Sequence, residues 1–149
     1  MTRRRGDPGH TTSTRVRLRL EHAAAADGSG RVPVLNLEGE FDIDTAPEVD
    51  RFLRRRLGPL YQRRSLVLDL HGVTLVDSSF IGFIVRLVGE QRRGRGELVL
   101  ARPVGHVRTV LGVVGLPNLV PVYESLDEAL LAVREARAPL IPPVFKAAG

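Results

Sequence analysis

The sequence has no cysteine, no tryptophan, one methionine and, among its 22 basic residues, a single lysine at position 146. The lack of cysteine excludes disulfides, thiolate nucleophiles and thiolate metal sites. The four histidines are scattered and never stand at the spacing of metal ligands. The composition therefore predicts neither a metal site nor a cofactor.

Long hydrophobic runs are also missing. A membrane helix needs ~20 consecutive apolar residues, and the richest stretch here, Phe80 to Val85, ends at Arg86. The basic N-terminus is not followed by the apolar core of a signal peptide. The sequence thus predicts a cytoplasmic protein without a membrane partner.

The net charge of +5 is concentrated near the N-terminus. Residues 1–20 contain six arginines and one acid, Asp7, whereas residues 31–149 contain 16 basic and 14 acidic residues. An arginine-rich arm could bind nucleic acid. A solvated tail explains the same charges, so nucleic acid is not the preferred partner.

The apolar pattern predicts one α/β domain over residues 14–137, between a disordered basic tail at 1–13 and a proline-rich tail at 138–149. Alternating apolar residues predict a strand near residues 16–20 and a second one over 32–37. Helical and strand patterns alternate from there on. This order favours a mixed central sheet of about five strands with four α-helices, the second helix being the most buried.

Two segments have the pattern of a capping box, in which a hydroxyl and a carboxylate three residues later satisfy the first amides of a helix. The first is Thr45-Ala46-Pro47-Glu48, and the second begins at Ser125 and ends at Glu128. They predict the starts of the first and last helices.

The segment around Asp77-Ser78-Ser79 carries the most chemical information. A buried strand over 66–70 precedes it and a strongly apolar helix follows. A phosphate on Ser78 would meet unpaired amides and the positive end of the helix dipole. Asp77 and Ser78 could equally serve only as caps.

Other chemical patterns are weaker. Asp42 and Asp44 are expected to be exposed loop carboxylates, which residue type alone does not make catalytic. Asp69, His71 and Ser78 could suggest a hydrolase triad, but no nucleophile elbow surrounds Ser78. The sequence predicts no catalytic residue and hence no enzyme.

Several ordered segments together resemble the STAS-domain family of anti-sigma-factor antagonists. The resemblance covers about residues 15–135, and no single motif decides it. Its segments are Val34 to Asp42 with Thr45-Ala46, Leu66 to Leu70, Gly72 to Thr74, Val76 to Ser79 with Gly82, Val107-Arg108 with Leu111, Gly115-Leu116, and Val122 to Leu130.

The resemblance implies a partner-switching mechanism. The unmodified protein would bind an anti-sigma factor that is also a serine kinase, and so release a sigma factor. The kinase would phosphorylate Ser78, with Ser79 as the second candidate, and a phosphatase would reverse the reaction. The implied partner-binding residues are Asp42, Asp77, Ser78, Ser79 and Phe80.

Phe80 is a departure from the family pattern, which usually has glycine after the Ser-Ser or Ser-Thr pair. Glycine lets a partner's backbone approach closely, whereas phenylalanine is bulky. The departure favours an alternative in which the chain is an unphosphorylated STAS docking module in a larger signalling assembly. Both alternatives share the predicted fold.

Overall fold

The computed structural model describes residues 10–12, 15–24, 30–94 and 96–137. The strands are β1 (His10–Thr12), β2 (Val16–Ala24), β3 (Arg31–Phe41), β4 (Leu66–Val76), β5 (Leu98–Ala101) and β6 (Val122–Tyr123). The α-helices are α1 (Ala46–Leu57), α2 (Ser78–Arg93), α3 (Gly105–Val113) and α4 (Leu126–Arg137). Short 3₁₀ helices lie at Tyr61–Arg63 and Leu116–Asn118.

The six strands form one mixed sheet in the order β1-β2-β3-β4-β5-β6. β1, β2 and β3 pair antiparallel, and β3 to β6 pair parallel. The predicted mixed α/β architecture with four helices is confirmed, with β1 as an additional short edge strand. β1 lies within the stretch predicted to be a disordered tail; residues 1–9, 13–14 and 138–149 are outside the described residues.

Hydrophobic side chains cover both faces of the sheet. One face packs against α1, α2 and α3 in the larger cluster of buried residues. The opposite face packs against α4, chiefly through Ala129 and Val133. α2 buries six side chains, against four in α1 and two in α3, because apolar residues surround most of its circumference.

Gly39, near the end of β3, is required by a close approach of two backbones. Its φ is +108°, and a Cβ there would lie 1.9 Å from the Arg15 carbonyl oxygen. The neighbouring Glu40 amide donates to that same oxygen at 3.1 Å. Gly39 therefore lets the start of β2 close onto the end of β3.

We expect Gly39→Ala to destabilise the domain by at least about 2 kcal/mol, because the added methyl combines left-handed strain with a backbone clash. Gly112→Ala in α3 is the matched control, since a Cβ there meets nothing within 4 Å. It should raise stability by about 0.5 kcal/mol. Urea unfolding of the two variants measures the difference, and equal midpoints would contradict this interpretation of Gly39.

Candidate functional site

The ends of the two central parallel strands bring the candidate residues together. Phe41, the last residue of β3, is in register with Val76, the last residue of β4. Beyond them, the Asp77 amide donates to the Phe41 carbonyl at 3.2 Å. Since neighbouring strands lie about 4.8 Å apart, Asp42 and Ser78 emerge at the same edge of the sheet.

Asp77 caps α2. Its carboxylate accepts hydrogen bonds from the Ser79 amide at 2.8 Å and the Phe80 amide at 3.2 Å. Ser78 is the first helical residue and is exposed. Within the described part of the chain its hydroxyl makes no hydrogen bond. The cap is thus provided by Asp77 alone, and the Ser78 hydroxyl faces solvent.

Asp42 is held by a guanidinium fork. Arg15 Nη1 and Nη2 donate to the two carboxylate oxygens at 2.7 and 2.9 Å. The backbone amides of Asp44 and Thr45 donate to the same carboxylate at 3.0 and 3.1 Å. The Arg15 hydrogen bonds, followed by these two amides, lower the pKa of Asp42 to about 2, so the group is ionised at neutral pH.

Thr45 does not cap α1, and this part of the first capping-box prediction is wrong. Its hydroxyl accepts from the Asp42 amide at 2.9 Å and donates to the Glu40 carbonyl at 2.9 Å. The competing Asp42 side chain forms the local turn, as aspartate often does. Ser125 does cap α4, because its hydroxyl accepts from the Glu128 amide at 3.1 Å.

The structure places Phe80 in the core. Its side chain is 0% exposed, and its ring centroid lies 5.1 Å from that of Phe41 and 6.1 Å from that of Phe83. The ring therefore packs beneath the site and not on its surface. It contributes no exposed area to the partner-binding set to which the sequence assigned it.

A groove of about 560 Å³ runs between α1 and α2 beside Ser78. Ile43, Ser78, Ser79 and Gly82 line it at the edge of the sheet. Ile43 is 68% exposed although it is large and apolar. The edge thus combines a free hydroxyl, carboxylates and one exposed apolar side chain, which suits the binding of a protein surface.

Asp69 and His71 do not assemble with Ser78. Asp69 is buried and forms a fork with Arg102, at 3.1 and 2.6 Å. Asp69 is two residues after Val67 in β4, so both side chains lie on the face of the sheet that packs against α4, whereas α2 packs on the other face.

Within the described ranges, no group of histidine, aspartate and glutamate side chains could hold a metal ion. None of the helices in these ranges has the length and hydropathy of a membrane span.

Arg15 is the residue of this site that sequence reasoning missed. Its side chain also lies 3.8 Å from Glu40 and 3.9 Å from Asp44. A cation immediately before a predicted strand carries no signal of the carboxylate it meets 27 positions later. Only the strand pairing shows it.

Comparisons with family models, curated proteins and solved structures agree on one family. The family model described as "Mlab, STAS domain" matches residues 24–121. A curated protein named as a candidate anti-sigma factor antagonist, BtrV of Bordetella bronchiseptica, is 28% identical over 97 residues, which are 65% of this chain and 75% of that protein.

Two solved structures show a similar fold. An anti-sigma factor antagonist from Mycobacterium paratuberculosis superposes with a TM-score of 0.66 at 23% identity, over 83% of this chain and 98% of that one. The Bacillus cell fate determinant SpoIIAA in its phosphorylated form gives 0.56 at 20% identity, over 78% and 99%. At sequence identities this low, the two comparisons show that the folds are similar and nothing more.

We expect Arg15→Gln to raise the pKa of Asp42 from about 2 toward its ordinary value of 3.8, because the largest cause of the shift is removed. Since folding lowers this pKa, Asp42 contributes stability above pH ~3.9, and the contribution is lost as the pH falls toward 2. NMR titration of the Asp42 carboxyl carbon measures the change. Arg17→Gln, which removes a similar cation bound to Glu38, should leave this pKa in place, and an equal shift in both variants would contradict the assignment.

Proposed function

The chain belongs to the STAS domain family, and on that premise we propose that it is an anti-sigma-factor antagonist controlled by phosphorylation of Ser78. In this proposal the unmodified protein binds, in the cytoplasm, an anti-sigma factor with serine kinase activity and thereby frees a sigma factor. The kinase phosphorylates Ser78 and the complex dissociates. A phosphatase restores the binding form.

The observation that supports the proposal most strongly is that Asp77 caps α2 while Ser78 stays exposed. Asp77 supplies the cap of α2 through two hydrogen bonds to its first amides. The exposed Ser78 hydroxyl is therefore not needed by the fold and is open to a kinase. A phosphate there lies at the N-terminus of a 16-residue helix, where the positive end of the helix dipole favours negative charge.

The surroundings of Ser78 favour a protein partner. Ile43 and Gly82 line the groove next to both serines. Ile43 offers an exposed apolar anchor, and a Cβ at Gly82 would meet nothing within 4 Å, so a partner can approach α2 closely. An apolar anchor beside polar groups is the usual composition of a binding hot spot.

The same surroundings explain why a phosphate would reverse binding. Modification adds a charge of roughly −1.5 to −2 at pH 7 to a contact surface that fits a neutral hydroxyl. A negatively charged group of the partner ~4 Å from the phosphate would be repelled by about 4 kcal/mol before salt screening. A partner that fits a neutral hydroxyl would also have to accommodate the phosphate's volume.

The comparisons support this proposal without identifying the partner. BtrV carries the name of an anti-sigma factor antagonist, and SpoIIAA, which shares the fold, has been solved in a phosphorylated form. The docking-only alternative was based on Phe80. Because that ring is buried, it does not obstruct a kinase approaching Ser78.

We expect Ser78→Asp to weaken binding of the cognate anti-sigma kinase about a hundredfold, equivalent to about 2.7 kcal/mol, because it places a permanent charge on the contact surface. Ser78→Ala should bind like the unmodified protein but escape phosphorylation. Isothermal titration calorimetry measures both affinities.

Ser79→Asp is the matched control for this experiment. Its side chain is half-buried and one position further into α2, so we expect a smaller loss of affinity. Thermal unfolding of all the variants checks that the fold survives, as expected because Asp77 supplies the cap of α2 in each of them. An unchanged affinity of Ser78→Asp would remove Ser78 as the switch and favour the docking module.

A further inference from the structure

A group of arginines lies at the end of the domain opposite Ser78. The parallel strands begin there, and α1 and α2 end there because they run antiparallel to the strands. We call this surface the basic end. Its members are Arg31 at the start of β3, Arg55 and Arg56 in the last turn of α1, and Arg63 and Arg64 at the following 3₁₀ helix.

Contacts hold the segments of the basic end against neighbouring elements of the fold. Arg31 Nη2 donates to the His22 carbonyl at 2.8 Å, and the Arg64 carbonyl accepts from the Gln91 side-chain amide. A Cβ at Gly94 would lie 2.4 Å from Arg63 Cγ, so the end of α2 packs directly on that arginine.

The lowered pKa of His22 is consistent with a positive electrostatic field at the basic end. Its pKa is lowered first by burial and then by the nearby guanidinium groups of Arg64, Arg31 and Arg56. The positive charges of these three arginines therefore all affect the His22 side chain, although the arginines belong to three different segments. A field of this kind attracts an anion to this end of the domain.

The five arginines of the basic end differ from most other arginines of the described ranges in how they are paired. Near the carboxyl ends of the strands, arginines have carboxylate partners: Arg15 with Asp42, Arg17 with Glu38, Arg102 with Asp69, and Arg108 with Glu124. Arg54 and Arg93, near the ends of α1 and α2, pair with Asp50 and Glu90. Across the described ranges, none of the five arginines of the basic end lies within 4.0 Å of a carboxylate. Their charges are left for an external anion.

We propose that the basic end binds the phosphate backbone of nucleic acid. A guanidinium presents a rigid fork of donors that fits phosphate in a bidentate manner, and here five arginines are exposed at one end of the domain. Stable attachment to a membrane needs a broad apolar face, but Leu60 is the only large apolar side chain exposed between residues 55 and 64. The arrangement thus favours a hydrated polyanion.

This interaction is independent of the proposed phosphorylation switch. Ser78 lies at the carboxyl ends of the strands and the basic end lies at their amino ends. Ser78→Asp should therefore bind nucleic acid as tightly as the unmodified chain. The two proposals can fail separately.

The test uses the full-length chain and a fluorescently labelled DNA duplex of about 20 base pairs and arbitrary sequence, with anisotropy measured between about 50 and 200 mM salt. We expect Arg56→Gln with Arg64→Gln to reduce the slope of log K against log salt by about 2, since each phosphate contact contributes roughly 0.9. Arg17→Gln with Arg108→Gln is the control with the same loss of charge. Both of its ion pairs are exposed and contribute little to stability, and its slope should match that of the unmodified chain.

Three results would overturn the proposal. Equal weakening in both double variants would mean that only net charge matters. Loss of binding in Arg3→Gln with Arg4→Gln and Arg5→Gln, with the Arg56 and Arg64 variant unaffected, would assign binding to the N-terminal arm. Binding to phosphatidylserine vesicles with none to the duplex would show that the surface recognises a membrane.

Discussion

The parallel pairing of β3 and β4 is the constraint on which the site depends; its register shifts between Asn36 and Glu38 and again between Gly39 and Glu40 before the two strands end. Phe41 opposite Val76 fixes where both strands end, and the hydrogen bond from the Asp77 amide to the Phe41 carbonyl extends that alignment beyond the sheet. Below this edge the Phe41 and Phe80 rings pack together. A slip of one residue would turn the side chains of β3 to the opposite face and separate Asp42 from Ser78.

Charge is distributed along the same axis as the strands. At the carboxyl ends, arginines and carboxylates neutralise each other in forks such as Arg15 with Asp42, so an added phosphate is the dominant new charge there. At the amino ends, arginines such as Arg56 and Arg64 have no such partners among the described residues. One small domain can therefore present a switchable surface and a constantly positive surface at opposite poles.

Periodicity was enough to predict the sheet, the four helices and the position of Ser78 at the start of α2. Interactions between distant segments were not predictable in this way. Thr45 has the sequence pattern of a cap, but its hydroxyl is bound to the Asp42 amide and the Glu40 carbonyl instead. The basic end does not show in the overall count, because residues 31–149 are nearly balanced in charge. The fold brings Arg31 to the same end of the domain as the arginines between residues 55 and 64.

Mass spectrometry of the protein isolated from its native cells can detect phosphorylation of Ser78 without any assumption about the partner. Peptides spanning residues 77–86 should carry phosphate on Ser78 when the sigma factor is inactive, and lose it when the sigma factor is released. Ser79 in the same peptide serves as an internal comparison. A peptide that is unmodified in both states, or modified only at Ser79, would contradict the account.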